Sequence, residues 1–230
     1  MSTGYNPSIV TDSLIFCLDA ANTKSYPGSG TTWIDLSGEG TDGTLVNGPT
    51  FSSDDGGSIV FDGTNDYIGN LGTATDLGID DISSSFSFLV WFKTSTTAEK
   101  YMFDNWDGSQ QDISFRLDVG KLEALVRGTN SGTATRFGAY TLNEWNHAAY
   151  TFDGSTSTLT AYVNAVNTGS VTYSNITGDF DSGSSFTIGT RPGGGGQFSG
   201  DISCAMLYNK SLTEAEIKQN YNAHKGRFGL

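Results

Sequence analysis

The side chains of this chain best suited to chemistry are acids and amides held in tight loops. In Asp62-Gly63-Thr64-Asn65-Asp66, the side chains of Asp62, Asn65 and Asp66 place three oxygens within one turn. A Ca2+ ion takes about six to eight oxygens, some of them backbone carbonyls, so this loop is a candidate calcium site; the competing reading is that Asp-Gly and Asn-Asp simply form turns. Asp179-x-Asp181-x-Gly183 resembles half a calcium loop but lacks the next Asn/Asp and a closing Glu, and reads as a turn. A second loop, Asp104-Asn105-Trp106-Asp107, is the candidate ligand site. Sugar rings stack on an indole face while carboxylates and amides take their hydroxyls. Arg191, beside the glycine run 193–196, is the second residue of that candidate. Against it stands the reading in which Trp106 folds back over the edge of the protein.

Catalysis finds little support. Nucleophilic chemistry needs a Ser or Cys paired with a base, and neither His147 nor His224 has one in a recognisable motif. Cys17 and Cys204 have no Cys or His near them at metal spacing. They read as two small buried thiols; a disulfide between them requires that the first and last strands be neighbours.

The elements that must position these residues are strands. Thirty glycines and four prolines, with abundant Ser and Thr, suit many short strands joined by tight turns. In 145–166, Ala148, Tyr150 and Phe152 alternate with His147, Ala149 and Thr151, then Leu159, Ala161 and Val163 alternate with Thr158, Thr160 and Tyr162. Period two on both sides of Asp153-Gly154 predicts a hairpin inside a larger sheet. In 85–93 (SFSFLVWFK), Phe86, Phe88, Val90 and Phe92 face one way, and the apolar second half of both faces predicts a central strand. Four consecutive glycines predict a loop that is mobile or ordered by a partner. Ser211-Leu212-Thr213-Glu214 has capping-box spacing, and Ile217 and Tyr221 share a face of the short helix behind it, predicted to pack against a sheet edge. Trp33, Trp91 and Trp145 are assigned to the core or its rim. The division expected is an arm over 1–12, one β-sandwich domain over 13–225 and a tail over 226–230.

The formal net charge of −13 argues against nucleic acid and against an anionic membrane surface, both of which call for Lys and Arg. No apolar run is long enough to span a bilayer. The first ten residues, MSTGYNPSIV, lack the basic and apolar regions of an export signal.

Five segments taken together (LIFCLDAAN, GGSIVFDGTNDYI, SFSFLVWFK, WNHAAYTFDGSTSTLTAYVN and FSGDISCAMLYNKSLTEAEIKQNY) resemble the laminin-G-like, concanavalin A-like jelly-roll domains. The resemblance implies an all-β fold of two stacked antiparallel sheets, with the first strand near the last and Cys17 therefore near Cys204. It implies a calcium ion at a sheet edge, with Asp201 as a fourth ligand beside Asp62, Asn65 and Asp66, and a structural role for His147. The hydrolases of this fold carry Glu-x-Asp-x-x-Glu on one strand, supplying two carboxylates about 5–9 Å apart. Here the six glutamates (Glu39, Glu99, Glu123, Glu144, Glu214, Glu216) are scattered or lie on the terminal helix. The opening, LDAAN, SYPGSG and WIDLSG, looks most like versions of the domain in virion proteins of tailed bacteriophages. The expectation is thus a non-catalytic virion surface protein, a capsid decoration or tail-fibre component, whose partners are other virion proteins, cell-surface glycans or copies of itself assembled through a sheet edge or the arm. The alternative is a calcium-dependent bacterial carbohydrate-binding module outside the cell.

Overall fold

The computed structural model describes residues 8–106, 113–128, 133–174, 176–180 and 183–230. The first seven residues of the expected arm, together with Asp107 and Asp181, lie outside them. In chain order the strands are β1 (Leu14–Asp19), β2 (Thr32–Trp33), β3 (Gly43–Val46), β4 (Thr50–Ser52), β5 (Ser58–Asp62), β6 (Tyr67–Gly69), β7 (Phe86–Lys93), β8 (Lys100–Asp104), β9 (Ile113–Asp118), β10 (Lys121–Val126), β11 (Thr135–Ala139), β12 (Asn146–Asp153), β13 (Thr158–Val163), β14 (Val166–Thr172) and β15 (Ser199–Tyr208). Helix α1 (Glu214–His224) and a 3-10 turn (Lys225–Phe228) follow.

One layer is an eight-stranded antiparallel sheet ordered β14-β13-β12-β7-β15-β5-β4, with β1 also paired to β15. The predicted hairpin is β12–β13, in the register Tyr150 opposite Ala161, and β7 lies between β12 and β15 as its two apolar faces require. Phe86, Phe88, Val90 and Phe92 enter the main core, while Leu89 and Trp91 enter a second apolar cluster on the other face. The facing layer is split into a four-stranded sheet, β11-β10-β9-β8, and a three-stranded one, β2-β3-β6. Aromatic rings join the layers: Phe88 stacks on Phe103 at 4.5 Å between centroids and Tyr150 on Phe115 at 4.3 Å. The architecture is a jelly-roll sandwich, as the resemblance implies. The second layer is broken where residues 186–189 make single bridges: Thr187 to Asp104 on one side and Ile188 to Ile68 on the other.

The outer face of the large sheet is covered by the C-terminal segment. The capping box falls two residues later than the Ser211–Glu214 spacing predicts, with Thr213 capping α1 and Glu216 at its third position, and the helix lies across the face of the sheet rather than at its edge, with Tyr221 stacked on Trp91 at 5.4 Å. The expected boundary at 225 runs through this cover: Phe228 sits 4.4 Å from Trp91 and 4.5 Å from Trp145, and Arg227 holds both carboxylate oxygens of Asp19 at 2.7 Å. His224, at the end of α1, is buried under this cover. At the other end Val10, assigned to the arm, is buried and accepts a hydrogen bond from the Tyr208 hydroxyl. Strand β1 pairs with β15, which brings the thiols of Cys17 and Cys204 into contact; both are buried and free.

Candidate functional site

The seam between the two smaller sheets carries a groove. One part of it, about 470 Å³, is lined by Asn47, Asn65, Tyr67, Thr190, Arg191 and Gln197. The other, about 570 Å³, is lined by Thr44, Val46, Tyr67, Gly69, Asn70 and Ser185. Tyr67 and Thr187 border both. Strand β6 explains the aromatic at the centre. Its period of two sends Ile68 into the core and turns Tyr67 and Gly69 outward. A Cβ on Gly69 would stand 3.1 Å from the Tyr67 ring, so the glycine lets the ring lie low across the sheet. Thr187 is held in the seam by its hydroxyl, which donates to Thr190 O at 2.7 Å. The amide of Asn47 donates to Asn65 O at 2.9 Å and ties the two loops of that wall together.

At one end of the groove the structure brings Trp106 and Arg191 together. The guanidinium lies over the indole at 4.0 Å from its centroid and over the Tyr101 ring at 5.6 Å. That face of Trp106 is therefore occupied by a side chain of the protein itself and is closed to a sugar. Asp104 and Asn105 stand behind, fully buried: Asp104 accepts from Trp106 N–H at 2.8 Å, and the Asn105 amide donates to Phe180 O at 3.2 Å. These two shape the loop and do not line the groove.

The glycine run that flanks Arg191 is held in place rather than left loose. Gly194 N–H donates to Arg191 O at 2.9 Å and Gly196 O accepts from Tyr101 N–H at 2.9 Å. All four glycines have positive φ, and a Cβ on Gly196 would fall 2.4 Å from the Tyr101 ring. This turn needs glycine for close approach, and its hydrogen bonds supply the order that the run lacks by itself.

The four residues expected to hold calcium are engaged separately. Asp62 accepts from Thr64 N–H at 2.7 Å, the main reason its carboxyl lies below the usual range. Asp66 is buried and accepts from Asp62 N–H at 3.0 Å; burial raises its pKa. Asn65 is exposed and lines the groove. Asp201 accepts from the Ser58 hydroxyl at 3.0 Å, and it is its neighbour Ser199 that pairs with Asp62 across the ladder. Among the described residues no group of three or more His, Cys, Asp or Glu is arranged to hold a metal ion.

Sequence reasoning missed Tyr67, Asn47, Thr187 and Gln197. The available signal was the spacing Tyr67-x-Gly69, which leaves an aromatic uncovered on the outward face of a short strand.

A curved antiparallel sandwich with an open, amide- and hydroxyl-lined groove defines a lectin-like jelly-roll domain. The model of the Laminin_G_3 family, the concanavalin A-like lectin/glucanases superfamily, matches residues 62–218, and the chain belongs to that family. None of the curated proteins matches it in sequence. Among solved structures it is similar to the binding domain of botulinum neurotoxin DC in complex with SialylT (14% identity, TM-score 0.70, 93% of this chain and 52% of that one). It is also similar to the binding domain of Paraclostridial Mosquitocidal Protein 1 (16%, 0.69, 93% and 52%) and to a mutant Trypanosoma rangeli sialidase displaying trans-sialidase activity (16%, 0.69, 97% and 35%). The chain spans about half the length of the two toxin domains, and at these identities the likeness is one of fold.

Proposed function

We propose that this chain is a non-catalytic glycan-binding module whose site is the seam groove. The observation that carries the reading is the groove's lining: one outward tyrosine flanked by amides and hydroxyls from Asn47, Asn65, Asn70, Thr187 and Gln197. An aromatic ring packs against the C–H face of a sugar, and amides donate to and accept from its hydroxyls. Among the described residues neither part of the groove is lined by an Asp or Glu, whereas glycoside hydrolysis uses a facing carboxylate pair. Binding without cleavage is the chemistry this lining supports.

The test is titration of an immobilised glycan panel with the wild type and with Tyr67→Ala. Loss of the ring is expected to weaken binding about tenfold or more, a little over 1 kcal/mol, with an unchanged circular dichroism spectrum. Equal binding by the variant, or sugar release from the panel, contradicts the reading. For its setting we propose the surface of a tailed-phage virion, supported by the LDAAN, SYPGSG and WIDLSG resemblance alone. Mass spectrometry of purified virions tests it: the chain should be a stoichiometric component, and its absence overturns the proposal.

A further inference from the structure

Resting on that reading of the groove, we infer that its ligand is an acidic glycan, a sugar chain carrying a carboxylate such as a uronate or sialate, with Arg191 receiving the carboxylate. Arg191 lines the part of the groove bordered by the glycine turn, on one side of the central Tyr67. Its guanidinium is held by rings and not by an acid: Trp106 lies at 4.0 Å and Tyr101 at 5.6 Å. No carboxylate among the described residues is within ion-pair distance of it. Arg116, Arg136 and Arg227, by contrast, each hold one or more acids.

The hydrogen bonding of Arg191 is also incomplete. Of its N–H donors, Nη2 has a distant acceptor in Gly194 O at 3.5 Å, and Nε is buried with no partner among the described residues. Partial burial of an unpaired cation is unfavourable, and cation–π contacts offset it only in part. A planar guanidinium already fixed between rings loses little further freedom on pairing, and a carboxylate is the group its fork fits. Gly195 keeps the place open, since a Cβ there would stand 3.2 Å from Nη2. The two parts of the groove meet at Tyr67, so a chain of more than one sugar crosses the ring with its acidic unit at the Arg191 end.

The experiment compares pairs of probes: oligogalacturonate, hyaluronan oligosaccharides and sialyllactose, each against its carboxyl-reduced counterpart, titrated with the wild-type chain, Arg191→Gln and Arg191→Lys. At least one acidic probe is expected to bind about tenfold tighter than its reduced form. Arg191→Gln should abolish that preference, bringing the affinities for the acidic and reduced forms of a probe to within about twofold of each other. Arg191→Lys, which keeps the charge but loses the planar fork, should retain part of it. Equal binding of acidic and reduced probes, or a preference that survives Arg191→Gln, overturns the inference and leaves glycan binding standing. Binding of none of the probes in either form, together with an empty neutral panel, overturns both.

Discussion

At the scale of residues, the two histidines and the groove make opposite uses of burial. His147 is fully enclosed against Trp91 and Tyr221, and burial, followed by the nearby His224, holds its pKa down to about 3. His224 is lowered to about 4 by burial and by Arg227, with Asp19 opposing. Both imidazoles are thus neutral in the folded state, while in the unfolded chain they take up protons below a pH of about 6.5. The unfolded state then binds more protons, so stability falls as pH drops from about 6.5 towards 4, by roughly 1.4 kcal/mol per pH unit for each histidine. The lowered carboxylates, Asp55, Asp153 and Glu216, add their own loss only nearer pH 4. Urea unfolding at pH 7 and pH 5 should show this drop, and His224→Gln should remove about half of it; a flat profile contradicts the burial of both rings. The structural role assigned to His147 was legible beside Trp145-Asn146, whereas His224 was not, because its burial depends on a tail whose apolar residues are too few to form a pattern. Trp106 illustrates the same limit: its sequence neighbours mark a polar loop, but only the fold shows Arg191 lying on its face.

At the scale of elements, the long strands with period two were legible together with their faces, whereas short ones such as Thr44 to Val46 were legible only as positions between turns. SFSFLVWFK and the 145–166 hairpin carry their faces in their spelling, and β7, β12 and β13 follow them. Strand β6 is three residues long and β2 two, below the length at which alternation is distinguishable from chance. The seam depends on these and on the single bridges at Thr187 and Ile188, which is why the groove was not foreseen. Close approach between strands is a further element-level property. Gly200, in β15, has φ of +135°, and a Cβ there would fall 2.2 Å from Lys93 O of β7. Gly200→Ala is expected to cost roughly 2 kcal/mol or more, through both strain and displacement of the ladder. Gly30→Ala, also at positive φ but with nothing within 4 Å, should cost about 1 kcal/mol. Urea midpoints of the two variants check the ordering, and equal midpoints contradict the strand contact.

At the scale of the whole molecule, the net charge of −13 argues against nucleic acid as a partner, and the C-terminal cover closes the outer face of the large sheet. The sandwich was legible from its five family segments; the cover over its outer face was not. Deleting residues 225–230 removes Phe228 from Trp91 and Trp145 and leaves Asp19 without Arg227. A loss on the order of 3 kcal/mol is expected, with a red shift of tryptophan emission; unchanged stability contradicts a structural cover. With that face closed, the site proposed for glycan is the seam groove. The most direct test of this account is amide-resolved NMR during titration with a glycan that the panel identifies. The shifts should cluster on Asn47, Asn65, Tyr67, Thr187, Thr190 and Gln197. A cluster elsewhere, for example around Asn143 and Asp201, or no shifts at saturating glycan, contradicts it.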